Sequence, residues 1–388
     1  MSKVFITAYT DYNPHEKSVL GIKASAIDSL FSNKEFNKEV KSLSYRPKRT
    51  SHTHDYHITQ NSIDYAITTR RNLKRASRRA KEYLDNLSEP IENQYTTFRI
   101  PKASGGMRVI TAPEDELKLV QKEILNLFNY SNILEHDSAF AYVEKRSIKD
   151  ALEVHQANKS RWFLKIDLKD FFPTFTKEVI IETLNRLYPI CTLEDSEVLE
   201  HVVEVGLYGG GLPQGSPLSP KLSNLCMVPF DHALAKKLWD YNKQHFVYTR
   251  YADDIIISSE YDFNYHDIVK VVDEILIEVG LPHHIKHSKT RYGSSAGSNW
   301  NLGLMLNKDN DITIGYRKKQ RIKATLHCYL ADFVEHNYWD KQSVQEFLGL
   351  LNYAESIEPE YWEKRVRISE EKNCTTMQAA NQFYMTEW

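Results

Sequence analysis

The chain has 388 residues, 41% hydrophobic and 26% charged, with a formal net charge of -2, a composition that excludes wholesale disorder and collagen-like repetition. At roughly 100–200 residues per domain there is room for two or three packed parts. No apolar run approaches the roughly 20 residues of a membrane-spanning helix, no secretory leader is read, and four scattered cysteines offer neither a disulfide framework nor a Cys-x-x-Cys metal pair, so a reduced cytoplasmic protein is expected.

The first ninety or so residues read as helical and polar. Apolar residues recur at helical spacing from Ser62 to Leu87 (Ile63, Ala66, Leu73, Ala76, Ala80, Leu84), and Pro90 closes the run. The other faces carry Arg70, Arg71, Lys74, Arg75, Arg78, Arg79 and Lys81, either a solvated face or a stripe that tracks phosphates. His52, His54 and His57 lack companion ligands and read as a polar loop.

From Tyr95 the texture changes to strand, Gly-Gly turn and strand, closed by Pro113. A helix follows from Glu114 to Phe128. Residues 161–167 form a short apolar run ending in Asp167, a buried strand that delivers an acid at its tip. Residues 246–258 are two β-branched or aromatic runs joined at Ala252-Asp253-Asp254, a hairpin with two carboxylates at its turn. The segment between them contains the loop GGGLPQGSPLSP and a helix from Lys221 to Leu238; from Tyr316 onward the chain is helical and charged.

An Asp-Asp dipeptide in a turn is usually only a solvated turn. Here rigid apolar strands hold each acid, and carboxylates brought together by adjacent strands repel one another unless a cation neutralises them. Hard oxygen donors suit Mg²⁺, with Mn²⁺ as a substitute. A pair of such ions stabilises the attacking and leaving oxygens of a phosphoryl displacement. The pattern points to nucleotidyl transfer.

The blocks FLKIDLKDFFPTF, GLPQGSPLSPKLSN and YTRYADDIIIS, in this order, resemble the palm motifs of reverse transcriptases. IPKASGGMRVITAP resembles the family's fingers motif, AFAYVEKRSIKDALEVH the block before the palm, and HHIKHSKTRYG with NLGLMLN the motifs that close it. The resemblance spans roughly residues 95–310. It implies an α+β right-hand polymerase: a basic helical N-terminal extension over 1–94, fingers over 95–160, a palm with an antiparallel sheet over 161–314, and a helical thumb over 315–388.

By the same resemblance Asp167, Asp253 and Asp254 are the metal-binding and catalytic acids. Lys102, Arg108 and Lys289 meet the triphosphate of the incoming dNTP, Gln214 lies against the nascent base pair, and Phe172 excludes a ribose 2′-hydroxyl. Tyr251, Ala252 and Gly215 lie beside primer and template, and Arg317, Lys318 and Arg321 meet the duplex backbone. A Val-Thr-Gly triplet usual in retron enzymes is Asn301-Leu302-Gly303 here, and no Asn-Ala-x-x-His box precedes the LPQG loop. Elimination then favours a stand-alone enzyme of anti-phage defence that copies a cognate non-coding RNA into DNA, with a partner protein encoded nearby, an oligomer as an option and no membrane. The alternatives are a retron enzyme making a branched RNA–DNA hybrid, template-independent or protein-primed synthesis, and a non-catalytic RNA-binding scaffold.

Overall fold

The computed structural model describes residues 3–5, 21–23, 60–102, 105–131, 133–193, 197–242, 246–294 and 303–386. His52, His54, His57, Asn301 and Leu302 lie outside them. Strands β1 (Lys3–Phe5) and β2 (Gly21–Lys23) come first and pair antiparallel, so the N-terminal ninety residues are not wholly helical. Then come α1 (Gln60–Asp85), the hairpin β3 (Tyr95–Pro101) and β4 (Met107–Pro113), α2 (Asp115–Asn129), α3 (Ile148–Ala157), β5 (Trp162–Asp167), α4 (Lys177–Leu184) and α5 (Glu197–Glu204). After α6 (Ser219–Cys226) and α7 (Val228–Asn242) the chain forms β6 (Phe246–Tyr251), β7 (Asp254–Ser259), α8 (Tyr265–Glu278) and the short strands β8 (Arg291–Ser294), β9 (Met305–Leu306) and β10 (Ile312–Thr313). Four helices close it: α9 (Tyr316–Val334), α10 (Lys341–Ile357), α11 (Pro359–Asn373) and α12 (Met377–Thr386).

The described residues divide into two compact units. One takes in the chain up to Arg146 with Ile166–Ile255 and Asn264–Thr290; the other takes in Ser147–Lys165, Ile256–Phe263 and Arg291 onward. The division cuts strands β5 and β7, so each unit is assembled from several stretches of chain.

In the first unit α1 buries Ala66, Leu73, Ala76 and Ala80 completely and packs against α2 and α5. Three alanines on one stripe leave little side-chain bulk, which lets the partner helices approach closely. α2 presents Leu117, Val120, Ile124 and Phe128. Buried Gln121 donates to the Val205 carbonyl at 2.6 Å and accepts from Ser216 Oγ at 3.0 Å, so the polar residue within that apolar stripe is hydrogen-bonded at both ends.

The central sheet runs β6-β7-β5-β8. Strand β7 is buried at every position, as expected for a strand covered on both faces. In the second unit the core gathers Leu326, Tyr329, Leu330, Phe347, Leu351 and fully buried Trp362 from the C-terminal helices, with Phe163 of β5 and Leu304. Three helix starts have a local cause: Ser147 and Asp150 form a reciprocal capping box for α3, Asp340 caps α10 through Ser343 N, and α11 opens on a proline. Among the described residues, no helix is long and apolar enough to cross a membrane.

Candidate active site

Strand β5 buries Phe163, Leu164 and Ile166 and ends on Asp167, itself only 6% exposed. Backbone bonds hold the chain there on both sides. The Asp167 carbonyl accepts from Lys286 N at 2.8 Å, and Leu168 N donates to the Asp253 carbonyl at 3.0 Å. The strand tip and the hairpin turn are therefore hydrogen-bonded neighbours. The β6–β7 turn consists of Ala252 and Asp253, and Ala252 adopts φ +56°, a left-handed conformation that costs a non-glycine residue about 1 kcal/mol and clusters at functional sites. Asp254 opens β7 and is 9% exposed.

These three carboxylates oppose one another electrostatically. Burial, followed by Asp254 and Asp167, pushes the Asp253 carboxyl up to about 6, against the pull of its own backbone hydrogen bond and of Lys289. Lys289 Nζ donates to Asp167 Oδ2 at 2.7 Å while its side chain stays 54% exposed. That hydrogen bond heads the causes that raise the lysine above its ordinary value. Among the described residues no three His, Cys, Asp or Glu side chains converge as a ready-made metal cage. The donor set nevertheless suits a hard divalent cation: oxygen-only, crowded enough to destabilise its own charge, and with Asp167 Oδ2 already held by the cation of a half-exposed lysine.

Directly behind the turn lies a buried polar assembly that the sequence did not reveal. Arg250, with both it and Asp231 of α7 wholly buried, donates to Asp231 Oδ1 at 2.8 Å and Oδ2 at 2.7 Å. Its NH1 group donates to Asn224 Oδ1 at 3.0 Å and to the Ala252 carbonyl at 3.3 Å. Tyr248 donates to Asp231 Oδ1 at 2.6 Å, and Asn224 Nδ2 to the Ala141 carbonyl at 2.7 Å. Burial by itself lowers the Arg250 pKa; Asp231 beside it more than offsets this and leaves it raised. One guanidinium thus ties α6, α7 and the carboxylate turn together.

Phe171 and Phe172 divide their work. Phe171 is 5% exposed and packs edge-on to Phe175 with ring centroids 5.2 Å apart, whereas Phe172 is half-buried and lies 6.2 Å from the Tyr142 ring. Tyr142 was missed in the sequence, although it sits within the block before the palm. It holds φ +60°. The protein around its hydroxyl raises its pKa, Asp253 and Tyr251 raise it further, and Arg108 pulls the other way. Tyr142 therefore feels both the carboxylate turn and the β3–β4 hairpin. Arg108 pairs with Ile100 across that hairpin and is exposed, as are Lys102 beside the Gly105-Gly106 turn and Lys289. Tyr251 is half-buried and Ala252 buried.

The LPQG loop lies on β4. Thr111 N donates to the Gln214 carbonyl at 2.7 Å, and a Cβ on Gly215, at φ +129°, would meet Thr111 O at 2.8 Å. The close approach that requires this glycine is thus to β4. A Cβ on Gly211 would fall 2.2 Å from the Pro173 carbonyl, so the same loop also packs against the segment carrying Phe172. In the other unit Arg317, Lys318 and Arg321 are exposed on α9, and Lys318 reaches the Gly303 carbonyl at 3.4 Å. Lys319, from the same basic run, is withdrawn from solvent by an ion pair with Glu358.

A carboxylate-tipped strand beside an acidic hairpin turn is the arrangement of a nucleotidyl-transfer polymerase. A family model described as "Reverse transcriptase (RNA-dependent DNA polymerase)" matches residues 100–350. The chain belongs to the reverse transcriptase family, and with that membership comes the α+β polymerase fold expected from the sequence. It is similar to the Retron Ec73 reverse transcriptase of Escherichia coli, 30% identical over 284 residues, covering 68% of this chain and 84% of the relative. It is also similar to the Retron Ec83 reverse transcriptase of Escherichia coli, 27% identical over 70% of this chain and 85% of the relative. Among solved structures, telomerase from Candida albicans in complex with a fragment of telomeric RNA superposes with TM-score 0.43 at 15% identity, over 76% of this chain and 58% of that one. That likeness is too remote to bear on the reading. The chain is an RNA-directed DNA polymerase of the bacterial retron type. The departures at Asn301-Leu302-Gly303 and before the LPQG loop stand in the sequence, but relatives of this coverage are retron enzymes all the same.

Proposed function

We propose that the chain copies a cognate non-coding RNA into DNA at Asp167, Asp253 and Asp254, in bacterial anti-phage defence. The observation that carries the reading is the bond from Leu168 N to the Asp253 carbonyl at 3.0 Å, which sets the two acidic strand ends side by side. Asp167 and Asp253, with Asp254 beside them, would hold Mg²⁺, or Mn²⁺ in its place; the metal supplies charge neutralisation at the oxygens of the reacting phosphate. Lys289, already on Asp167, would exchange the carboxylate for the triphosphate, with Lys102 and Arg108 offering further fixed cations. Phe172 and Tyr142 would flank the sugar, where an aromatic wall leaves no room for a 2′-hydroxyl. Gln214 would meet the nascent pair, Tyr251, Ala252 and Gly215 the primer and template, and Arg317, Lys318 and Arg321 the hybrid backbone.

The similarity to retron enzymes favours a second reading of the product, a branched RNA–DNA hybrid in place of free complementary DNA. A single experiment addresses both. The chain is expressed with its native flanking DNA, and the bound RNA and DNA are sequenced beside an Asp253→Asn/Asp254→Asn variant. One discrete RNA with complementary DNA, the DNA missing from the variant, is the expected result. DNA joined to an internal position of that RNA selects the retron product. DNA lacking any complementary RNA would overturn templated synthesis, and DNA made equally by the variant would overturn the carboxylate assignment.

A further inference from the structure

Helix α1 carries none of the candidate site residues. Its buried side is taken up by α2 and α5. On the opposite side Arg71, Lys74, Arg75, Arg78 and Lys81 are all exposed. At 100° per residue these three- and four-residue steps gather the five cations into one stripe, about 15 Å long at 1.5 Å per residue. The pairs 71/75 and 74/78 are like charges one turn apart, each destabilising the helix by roughly 0.2–0.5 kcal/mol. Arg79, on the flank, pairs with Glu123 at 2.7 Å. Acids return only at Glu82 and Asp85, where the stripe ends. Beside it opens a shallow cleft of about 250 Å³, lined by Lys74, Arg78 and Lys81 with Ser77, and by Glu197 and His201 of α5.

A row of repelling cations costs the helix stability, and its chemistry narrows what would offset that cost. A protein partner would want an aromatic or apolar anchor at its centre, and a lipid surface would want an apolar face to sink into it. Among the residues of α1 whose exposure is described, from Ala66 onward, Ile67 alone is an exposed large apolar residue. Three of the five cations are guanidiniums, whose planar fork matches phosphate in a bidentate way. A duplex carries a phosphate charge about every 1.7 Å of axis, so a 15 Å stripe faces more than enough anions to engage every cation.

We propose that the exposed face of α1 docks the phosphate backbone of a structured RNA, as a surface separate from the carboxylate site. This extends the polymerase reading without depending on it, because binding is measured in protein that cannot polymerise. The full chain bearing Asp253→Asn is compared with the same chain carrying also Arg71→Gln, Arg75→Gln and Arg78→Gln. The probe is a blunt RNA hairpin of roughly 20 base pairs with a blocked 3′ end, titrated from about 0.05 to 0.3 M KCl. Each lost phosphate contact removes about 0.7–0.9 from the slope of log affinity against log salt, so three contacts should lower it by about 2–3 and weaken binding about 50- to 150-fold near 0.15 M. Lysine at the same three positions should keep the slope, which separates lost charge from a folding defect.

In chains with Asp253 intact, the three Gln substitutions should leave extension of a short annealed primer–template unchanged. Equal slopes for the parent and the triple variant would overturn the proposal. So would loss of primer extension with unchanged hairpin binding, which would move the stripe into the template path. Anionic phosphatidylserine vesicles that bind only the parent, with hairpin binding unaffected, would assign the face to a lipid surface and overturn it too.

Discussion

Arg250→Met tests whether the buried assembly behind the turn governs catalysis or only stability. The substitution keeps much of the side chain's length and removes its charge. It deletes two bonds to Asp231, at 2.8 and 2.7 Å, one to Asn224 at 3.0 Å, and the 3.3 Å contact that holds the Ala252 carbonyl. Asp231 is wholly buried and would keep only Tyr248 and its remaining neighbours. Breaking one side of a buried ion pair costs about 3–5 kcal/mol, because the surviving charge stays uncompensated. The unfolding midpoint of the 388-residue chain should fall by about 5 °C. Replacing the pair by Arg250→Met with Asp231→Leu removes both charges, and such exchanges are often neutral or stabilising, so thermal stability should return. The hold on Ala252 and Asn224 does not return with it. Since displacement of a reacting group by about 1 Å is worth about 100-fold in rate, the double variant should fold normally yet extend a primer 10- to 100-fold more slowly, mainly in kcat. Thermal denaturation alongside steady-state primer extension reads both quantities. A double variant that is stable and fully active would refute the reasoning, as would a single variant as stable as the parent.

Asp253→Asn should abolish DNA synthesis with the unfolding midpoint unchanged to within a few degrees, checked by single-nucleotide extension; substantial residual activity would remove Asp253 from the metal-binding set. Phe172→Ala should raise ribonucleotide use relative to deoxyribonucleotide by roughly 10- to 100-fold, measured as the ratio of the two kcat/KM values, and an unchanged ratio would place the gate elsewhere. Gly215→Ala sets a Cβ 2.8 Å from the Thr111 carbonyl at φ +129°, so a loss of about 1–3 kcal/mol and a raised KM for dNTP are expected from denaturation and kinetics. His155 hydrogen-bonds to Ser258 at 2.6 Å, and complete burial lowers its pKa from 6.5 to about 3. Above pH 6.5 neither state holds this proton. Below it the unfolded chain gains a proton that the folded chain refuses, so stability falls by about 1.4 kcal/mol per pH unit until the folded pKa is reached. Between pH 6.5 and 5 the loss is about 2 kcal/mol, and His155→Gln should remove it from the pH profile of unfolding.

Much of the site was legible because it is local in the chain. The apolar strand before Asp167 and the two-residue turn at Ala252-Asp253 are period-two patterns broken at one point, and both recur in the structure as β5 and the β6–β7 hairpin. Which of the adjacent rings Phe171 and Phe172 joins the core is decided by burial, which assigns Phe171 to it. Tyr142 was passed over because an aromatic residue in an irregular segment has no periodicity to betray it; only its φ of +60° and its nearness to Phe172 mark it. The basic run at 317–323 reads in sequence as uniform charge, but Lys319 is spoken for by Glu358 while Arg317 and Arg321 remain exposed.

The sequence by itself determined the strands and turn that carry the acids, the order of the polymerase blocks and which acids stand at strand ends, because strand periods and turn chemistry are set within a few residues. Tertiary structure alone decided who meets whom. Lys289 reaches Asp167 across 122 positions, Arg250 finds Asp231 in the preceding helix and Asn224 in the one before that, and Gly215 is required by the backbone of Thr111. The physical reason is that a charge or a glycine looks the same in a sequence whether it faces water or is buried. Desolvation and close packing assign its role only once distant segments have come together.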